Sequence, residues 1–245
     1  MKLPLAHGLS DEEFLALVRR MDLTPSLVRR HLEEEITRLV NLSIEFQEKA
    51  IADFCGDQDQ NTLLTEKGWT EADLQLHVMR PEALRRFAAQ RFGPGLEDRF
   101  LGFKGGRDQV IYSLLRVRDA GLARELWIRL EEGEITFAEA ASTFSEGPEA
   151  HRKGVMGPLE IGTLQPQTLQ DLLRALRPGE ICSPKILGEW QVLLRLEQLI
   201  PARFDDQLRM RMQDEALDEF LSKRVKRILA GESAQLEPLH YDRDA

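Results

Sequence analysis

The sequence predicts an α+β fold, with helical segments at both ends of the chain and a strand-containing insert between them. Three observations carry this. Residues 10–106 read almost throughout in helical periods punctuated by caps and breakers, with no strand pattern. Two runs rich in strand formers, VIYSLLRV at 110–117 and EWQVLLRL at 189–196, bracket shorter helical stretches. After Pro201 a long amphipathic pattern returns. The expected divisions are a helical domain over 1–106, an α/β domain over 107–200, a helix over 201–230 and a tail over 231–245.

Each element has a local cause. Residues 1–8 form a short lead-in. Ser10 then caps a helix with Asp11, Glu12 and Glu13 in its first turn; Ser10 and Glu13 make a capping box, and Phe14, Leu17 and Val18 share one face. Thr24-Pro25 starts the next helix, a cap residue with proline at the first helical position. From there to Phe54 the stripe Leu32, Ile36, Leu39, Val40, Ile44 and Ala50 continues, so one long bent helix is expected, closed by Gly56-Asp57. Thr70 opens another. Pro81 is expected to interrupt it and begin a further helix through Phe92, before the break Gly93-Pro94-Gly95. A short helix at 96–101 and a glycine loop at 102–106 follow.

The insert begins at Asp108. Val110 to Val117 is rich in strand formers and too short for a typical helix. Helices are expected over 122–132 and 137–144. In the second, Phe137, Ala140, Ala141 and Phe144 fall on one face before Ser145-Glu146-Gly147-Pro148 stops it. Residues 154–157 are tight and strand-flanked. A short helix over 167–176 ends at Arg177-Pro178-Gly179, and Glu189 to Leu196 alternates as a strand. The order is strand, helices, strand, helix, strand. A last helix over 205–229 ends at Gly231, leaving a loose tail.

Composition narrows the function classes. The 245 residues are 42% hydrophobic and 31% charged, which supports a packed core and not a disordered chain. A net charge of −9 argues against a nucleic-acid binder. Cys55 and Cys182 lack Cys-x-x-Cys spacing and read as reduced thiols. The start lacks a charged-then-apolar leader pattern, and no apolar run approaches the roughly 20 residues that span a bilayer, so a cytoplasmic location is expected. No phosphate loop, dinucleotide fingerprint or zinc spacing is present. Asp57, Asp59 and Asn61 imitate a calcium loop, but the glycine and the closing glutamate are misplaced. No cofactor and no metal are expected.

Residues 108–199 resemble a parvulin-type peptidyl-prolyl isomerase domain. VIYSLLRV is similar to the family's first strand, and ARELWIRLEEGEITFAEAASTFSEG to its helix pair and the turn after it. KGVMGPL is similar to its Gly-Gly-Asp-Leu-Gly segment, ALRPGEICSP to its Leu-x-Pro-Gly-Glu turn, and GEWQVLLRLE to its last strand. The surrounding layout resembles the SurA-type foldase chaperones, in which helices from both ends build one substrate-holding domain around the insert. The resemblance implies that Leu208, Met212, Leu217 and Phe220 pack back on the N-terminal helices. It also implies an unfolded or proline-containing polypeptide as partner, without nucleic acid or a membrane span.

Parvulins are understood to use two facing histidines, a nearby Cys or Asp, and a Met-Phe pocket. Here the first-strand histidine falls at Leu114, beside Ser113, and the acid or thiol at Gly147. The pocket methionine falls at Leu164, the phenylalanine near Thr168 or Leu169, and the last-strand histidine at Gln191. The resemblance therefore implies a degenerate catalytic site, with Ser113, Leu164, Leu169, Trp190 and Gln191 as substrate-binding candidates. Two readings stand: a weakened proline pocket, or a scaffold that binds polypeptide without catalysis. The five histidines are scattered. The His151-Arg152-Lys153 cluster reads as a solvated loop, with contact to an acidic or phosphorylated ligand as the alternative.

Overall fold

The computed structural model describes residues 10–242; the expected lead-in, with His7, and the last three residues of the expected tail lie outside them. The fold is α+β, as expected: helices dominate, with one small antiparallel sheet. Two compact units are present, one from Met1–Leu96 with Asp205–Ala245, the other from Glu97–Phe204.

The first unit opens with α1 (Asp11–Arg20), on which the Ser10–Glu13 capping box is formed, and α2 (Thr24–Leu39). The single long helix expected here is two. The chain leaves helical angles at Val40, and Ser43 starts α3 (Ile44–Cys55) by accepting from Phe46 N at 3.3 Å. The stripe did not show this break because Val40 and Leu42 stay buried in the same core as α2. Next come α4 (Gln60–Lys67) and α5 (Glu71–Phe92). α4 was not expected. Asp59, one of the calcium-loop imitators, is its cap and accepts from Thr62 N at 3.0 Å. Pro81 does not divide α5. The helix runs through it because Met79 before it and Ala83 and Phe87 after it enter one core, offsetting the roughly 3 kcal/mol an internal proline costs.

In the second unit, α6 (Leu96–Arg107) carries through the expected glycine loop with a kink at Phe103 (φ −125°, ψ 15°). β1 (Gln109–Val117) follows, then α7 (Ala120–Glu131), α8 (Phe137–Phe144), β2 (Val155–Glu160), α9 (Gln167–Ala175), β3 (Lys185–Leu187) and β4 (Trp190–Ile200). A 3-10 turn at Pro148–Arg152 joins α8 to β2, and a shorter one at Ile161–Thr163 follows β2. The sheet order is β2-β1-β4-β3, antiparallel throughout. The short edge strand β3 was not foreseen. Strand alternation splits the core in two. Leu115, Val117 and Leu193 meet α7 and α8 on one face. Val110, Tyr112, Leu114, Leu194 and Leu196 meet Ile161, Leu169 and Leu173 on the other. Gly154 (φ 81°) permits a close approach: a Cβ there would stand 2.8 Å from Ala141 Cβ and 2.9 Å from the Leu114 carbonyl.

The chain then returns to the first unit as α10 (Asp206–Leu229), capped by Asp205. Leu217, Leu221 and Val225 join Leu32, Ile36, Met79, Ala83 and Phe87 in one core. Phe220 packs at its edge, 5.8 Å from the Phe92 ring, and Leu208 and Met212 are also buried. Each such aliphatic side chain contributes about 1.5–3 kcal/mol on full burial. The described end of the chain is not loose. Leu239 and Tyr241 pack against this core, and Gln90 exchanges two hydrogen bonds with the Asp242 backbone, at 2.7 and 2.9 Å. Apolar side chains beyond Gly231 anchor what its polar composition had suggested was a tail.

Candidate functional site

The α9 face of the sheet builds an apolar floor. Leu114 from β1, Leu164, Leu169 from α9 and Trp190 at the start of β4 belong to one cluster with Tyr112, Leu173 and Cys182. Leu164 is held in place by its own carbonyl, which accepts from the buried Gln170 side chain at 2.8 Å. Leu169 sits in the first turn of α9, directly after Pro166 and the residues that lead in from Leu164.

Ser113 and Gln191 are not part of this floor. In an extended strand neighbouring side chains point to opposite faces, so Ser113 opposes Leu114 and Gln191 opposes Trp190. Ser113 is buried, and its hydroxyl donates to Glu197, which also accepts from Arg195 Nε at 2.8 Å. Arg195 in turn lies 5.4 Å over the Phe137 ring of α8. Gln191 pairs with Val117 in the β1–β4 register and so shares the α7 and α8 side. The five substrate-binding candidates thus divide across the sheet: Leu164, Leu169 and Trp190 lie on the α9 face, and Ser113 and Gln191 on the other.

Polar chemistry does reach the α9 face, from residues the sequence reading did not select. Arg116 lies two places along β1 from Leu114 and so shares its face. Its Nε and Nη2 donate to the Glu149 carboxylate at 2.8 and 2.6 Å, and the Glu149 side chain is only 1% exposed. Ser145 Oγ donates to the same carboxylate at 2.6 Å and accepts from Arg116 N at 3.1 Å. Burial works against ionisation of Glu149, but the hydrogen bonds from Arg116 and Ser145 outweigh it and hold the carboxyl below its ordinary value. The bond to Glu149 raises Arg116. Burial pushes the Tyr112 hydroxyl up, with Arg116 and Glu149 the charges it feels. Gly147, expected from the sequence to stand at the family's acid or thiol position, lines this pair: a Cβ there would stand 2.2 Å from Arg116 Nε and 2.3 Å from Glu149 Oε2.

Trp190 joins floor and pair. The guanidinium of Arg116 lies 5.7 Å from its ring centroid and that of Arg118 lies 4.6 Å away. Arg118 also faces Glu146 and Glu189, each at 3.6 Å. One sequence signal pointed here. Arg116 is a charge at an inward position of a strand that otherwise buries its side chains, and such a charge requires a partner. The partner lies 33 residues away and carries no local mark.

The remaining candidates lie elsewhere. His151, Arg152 and Lys153 are exposed, as are His31 and His240, while His77 packs against Phe54 and Trp69, where burial lowers it. Among the described residues no three His, Cys, Asp or Glu side chains are grouped to hold a metal. No described helix is long and apolar enough to cross a membrane.

Residues 119–189 match the family model of the PPIC-type PPIase domain, Rotamase. The second unit therefore carries a parvulin-type peptidyl-prolyl isomerase domain, from the start of α7 to the start of β4. No curated protein matches the chain in sequence. Among solved structures, the chain is similar to the peptidylprolyl isomerase PrsA of Bacillus anthracis, at 18% identity and a TM-score of 0.46, covering 88% of this chain and 100% of that one. It is similar to PrsA of Bacillus cereus, at 17% identity and a TM-score of 0.48, covering 96% and 91%. A structure described as one of two SurA-like chaperones of Campylobacter jejuni matches at 12% identity and a TM-score of 0.38, covering 97% and 92%.

Proposed function

We propose, from the PPIC-type isomerase domain at residues 119–189, that this protein is a foldase of the parvulin family acting on unfolded or partly folded polypeptides. The second unit supplies the prolyl site and the helical unit holds the client chain. The observation that carries the reading is the family match laid over the apolar floor of Leu114, Leu164, Leu169 and Trp190. Turning an Xaa–Pro bond requires crossing an amide-resonance barrier of about 18–20 kcal/mol with no covalent step. An apolar seat for the ring and an environment that favours the twisted amide suffice. The site is degenerate by the family's pattern, with Leu114, Gly147 and Gln191 at the polar positions, so turnover below that of a histidine-bearing parvulin is part of the proposal.

A second reading is favoured by one feature of the helical unit. Phe14, Leu15, Met21, Leu23 and Leu27 are exposed along α1 and the start of α2, which suits a polypeptide-binding escort that does not catalyse. Two assays on the same protein separate the readings. Acceleration of cis–trans exchange in an Xaa-Pro peptide, together with suppressed aggregation of an unfolded client, supports the foldase. Suppression without acceleration supports the escort, and neither effect sinks both. The cytoplasmic location expected from the sequence belongs to the proposal and is tested by cell fractionation.

A further inference from the structure

We propose that Arg116, seated by Glu149, is the group that acts on the prolyl amide in this chain; the inference rests on the isomerase reading above.

Rotation about an Xaa–Pro bond redistributes charge in a definite direction. In the planar amide the nitrogen lone pair is shared with the carbonyl. As the bond twists, the lone pair returns to nitrogen, which becomes more basic, and the oxygen becomes less negative. A hydrogen-bond donor on the nitrogen therefore binds the twisted form more tightly than the planar one, and that difference lowers the barrier. A donor on the oxygen does the reverse. A useful catalyst needs a donor beside the ring nitrogen, in a site where water competes poorly.

The α9 face offers such a donor. The family's polar positions hold Leu114, which cannot donate, Gly147, which has no side chain, and Gln191, which belongs to the opposite face. Arg116 stands two places from Leu114 on the floor's own face and touches the floor through Trp190. Two of its nitrogens are committed to Glu149. Among the described residues its Nη1 meets no acceptor, and the side chain is 27% exposed, so these N–H groups remain open to an incoming chain. The two-point bond to a buried carboxylate fixes the guanidinium plane before substrate arrives. Ser145, bound to the same carboxylate, fixes Glu149 in turn.

Gly147 connects this to the family pattern. Any side chain at that position would occupy the space of the Arg116–Glu149 pair. A side chain at residue 147 and this pair exclude one another. In this chain the carboxylate stands at residue 149, with a cationic donor bound to it. Arg116 is the proposed catalytic residue, and Glu149 a positioning residue.

The test measures exchange of a proline peptide by NMR over a range of peptide concentrations. Arg116→Gln is expected to lower kcat by about tenfold or more with little change in KM, because the donor serves the twisted state and the floor holds the ring. Glu149→Gln is expected to shift kcat in the same direction by less. Because either variant leaves a polar group unpaired, a third replaces both members, Arg116→Met with Glu149→Met. A fully hydrophobic pair of similar volume keeps the unit folded, which thermal melting checks. It is expected to retain peptide binding and lose the same kcat. Parent-like kcat in the folded double variant overturns the role of Arg116 and leaves the isomerase reading standing. No acceleration by the parent protein overturns both.

Discussion

The guanidinium of Arg116 grips the Glu149 carboxylate through two hydrogen bonds, 2.8 Å from Nε and 2.6 Å from Nη2, across 33 residues of chain. This ties the middle of the sheet to the turn after α8. Its energetics are asymmetric, since a buried pair that is neutral overall becomes a liability once one member is removed.

Acid should weaken this tie in a defined direction. Burial of Glu149 favours its neutral form, yet bonds from Arg116 and Ser145 hold the carboxyl below its ordinary value. A carboxyl depressed on folding adds stability above its unfolded value, and that stability drains away as pH falls through the folded value. Glu149→Gln should therefore cost about 2–3 kcal/mol near neutrality, moderated because Arg116 still meets water. The gap from the parent should shrink once the pH falls below the usual carboxylate value of about 4.3. Urea melts of both proteins on either side of that value check it, and a gap independent of pH counts against the ion pair as its origin.

At Gly147 the argument is purely steric. Its φ of −107° is open to any residue, so alanine meets no backbone strain there. The added methyl would nevertheless press on Arg116 and Glu149, and Gly147→Ala should cost about 1–3 kcal/mol by overpacking. The same substitution should be better tolerated alongside Arg116→Met and Glu149→Met. A double-mutant cycle on melting data measures that relief, and additivity would contradict it.

In the helical unit, Leu221→Ala should cost about 2–5 kcal/mol, because Leu221 is fully buried where α10 meets α2 and α5. Hydrogen exchange should show the loss of protection in all three helices together. Loss confined to α10 would mean that the shared core matters less than its burial implies.

The two thiols should react differently. Cys182 is buried and burial pushes its thiol up, so it should resist alkylation until the protein unfolds. Cys55 is partly exposed and should be alkylated in the native state. Mass spectrometry after brief iodoacetamide treatment distinguishes them, and equal labelling would show that Cys182 is more open than its packing suggests.

Much of the local structure could be read from residues whose causes are local. The boxes at Ser10–Glu13 and Thr70–Asp73 and the helix over 137–144 depend on neighbours three or four places apart. The break at Val40 was hidden because a buried apolar residue looks the same in a turn and in a helix, and α4 because its cap, Asp59, lies in the polar stretch after Gly56. The division of the site candidates was within reach. Ser113 with Leu114, and Trp190 with Gln191, are adjacent in strands, and alternation alone forbids them one face. The Arg116–Glu149 pair was out of reach, because only the folded sheet brings these residues together.

The core of the helical unit draws on Leu32 and Phe87 from one side of the insert and on Leu217, Leu221 and Val225 from the other. A ribosome delivers these in order, so the unit that begins first must be completed last. The insert is contiguous and can close its sheet once β4 has emerged, with α2 to α5 still lacking α10. Until translation reaches Val225, the nascent protein exposes the apolar faces those helices will later share. For that interval it has the same need for protection that we propose it meets in its clients.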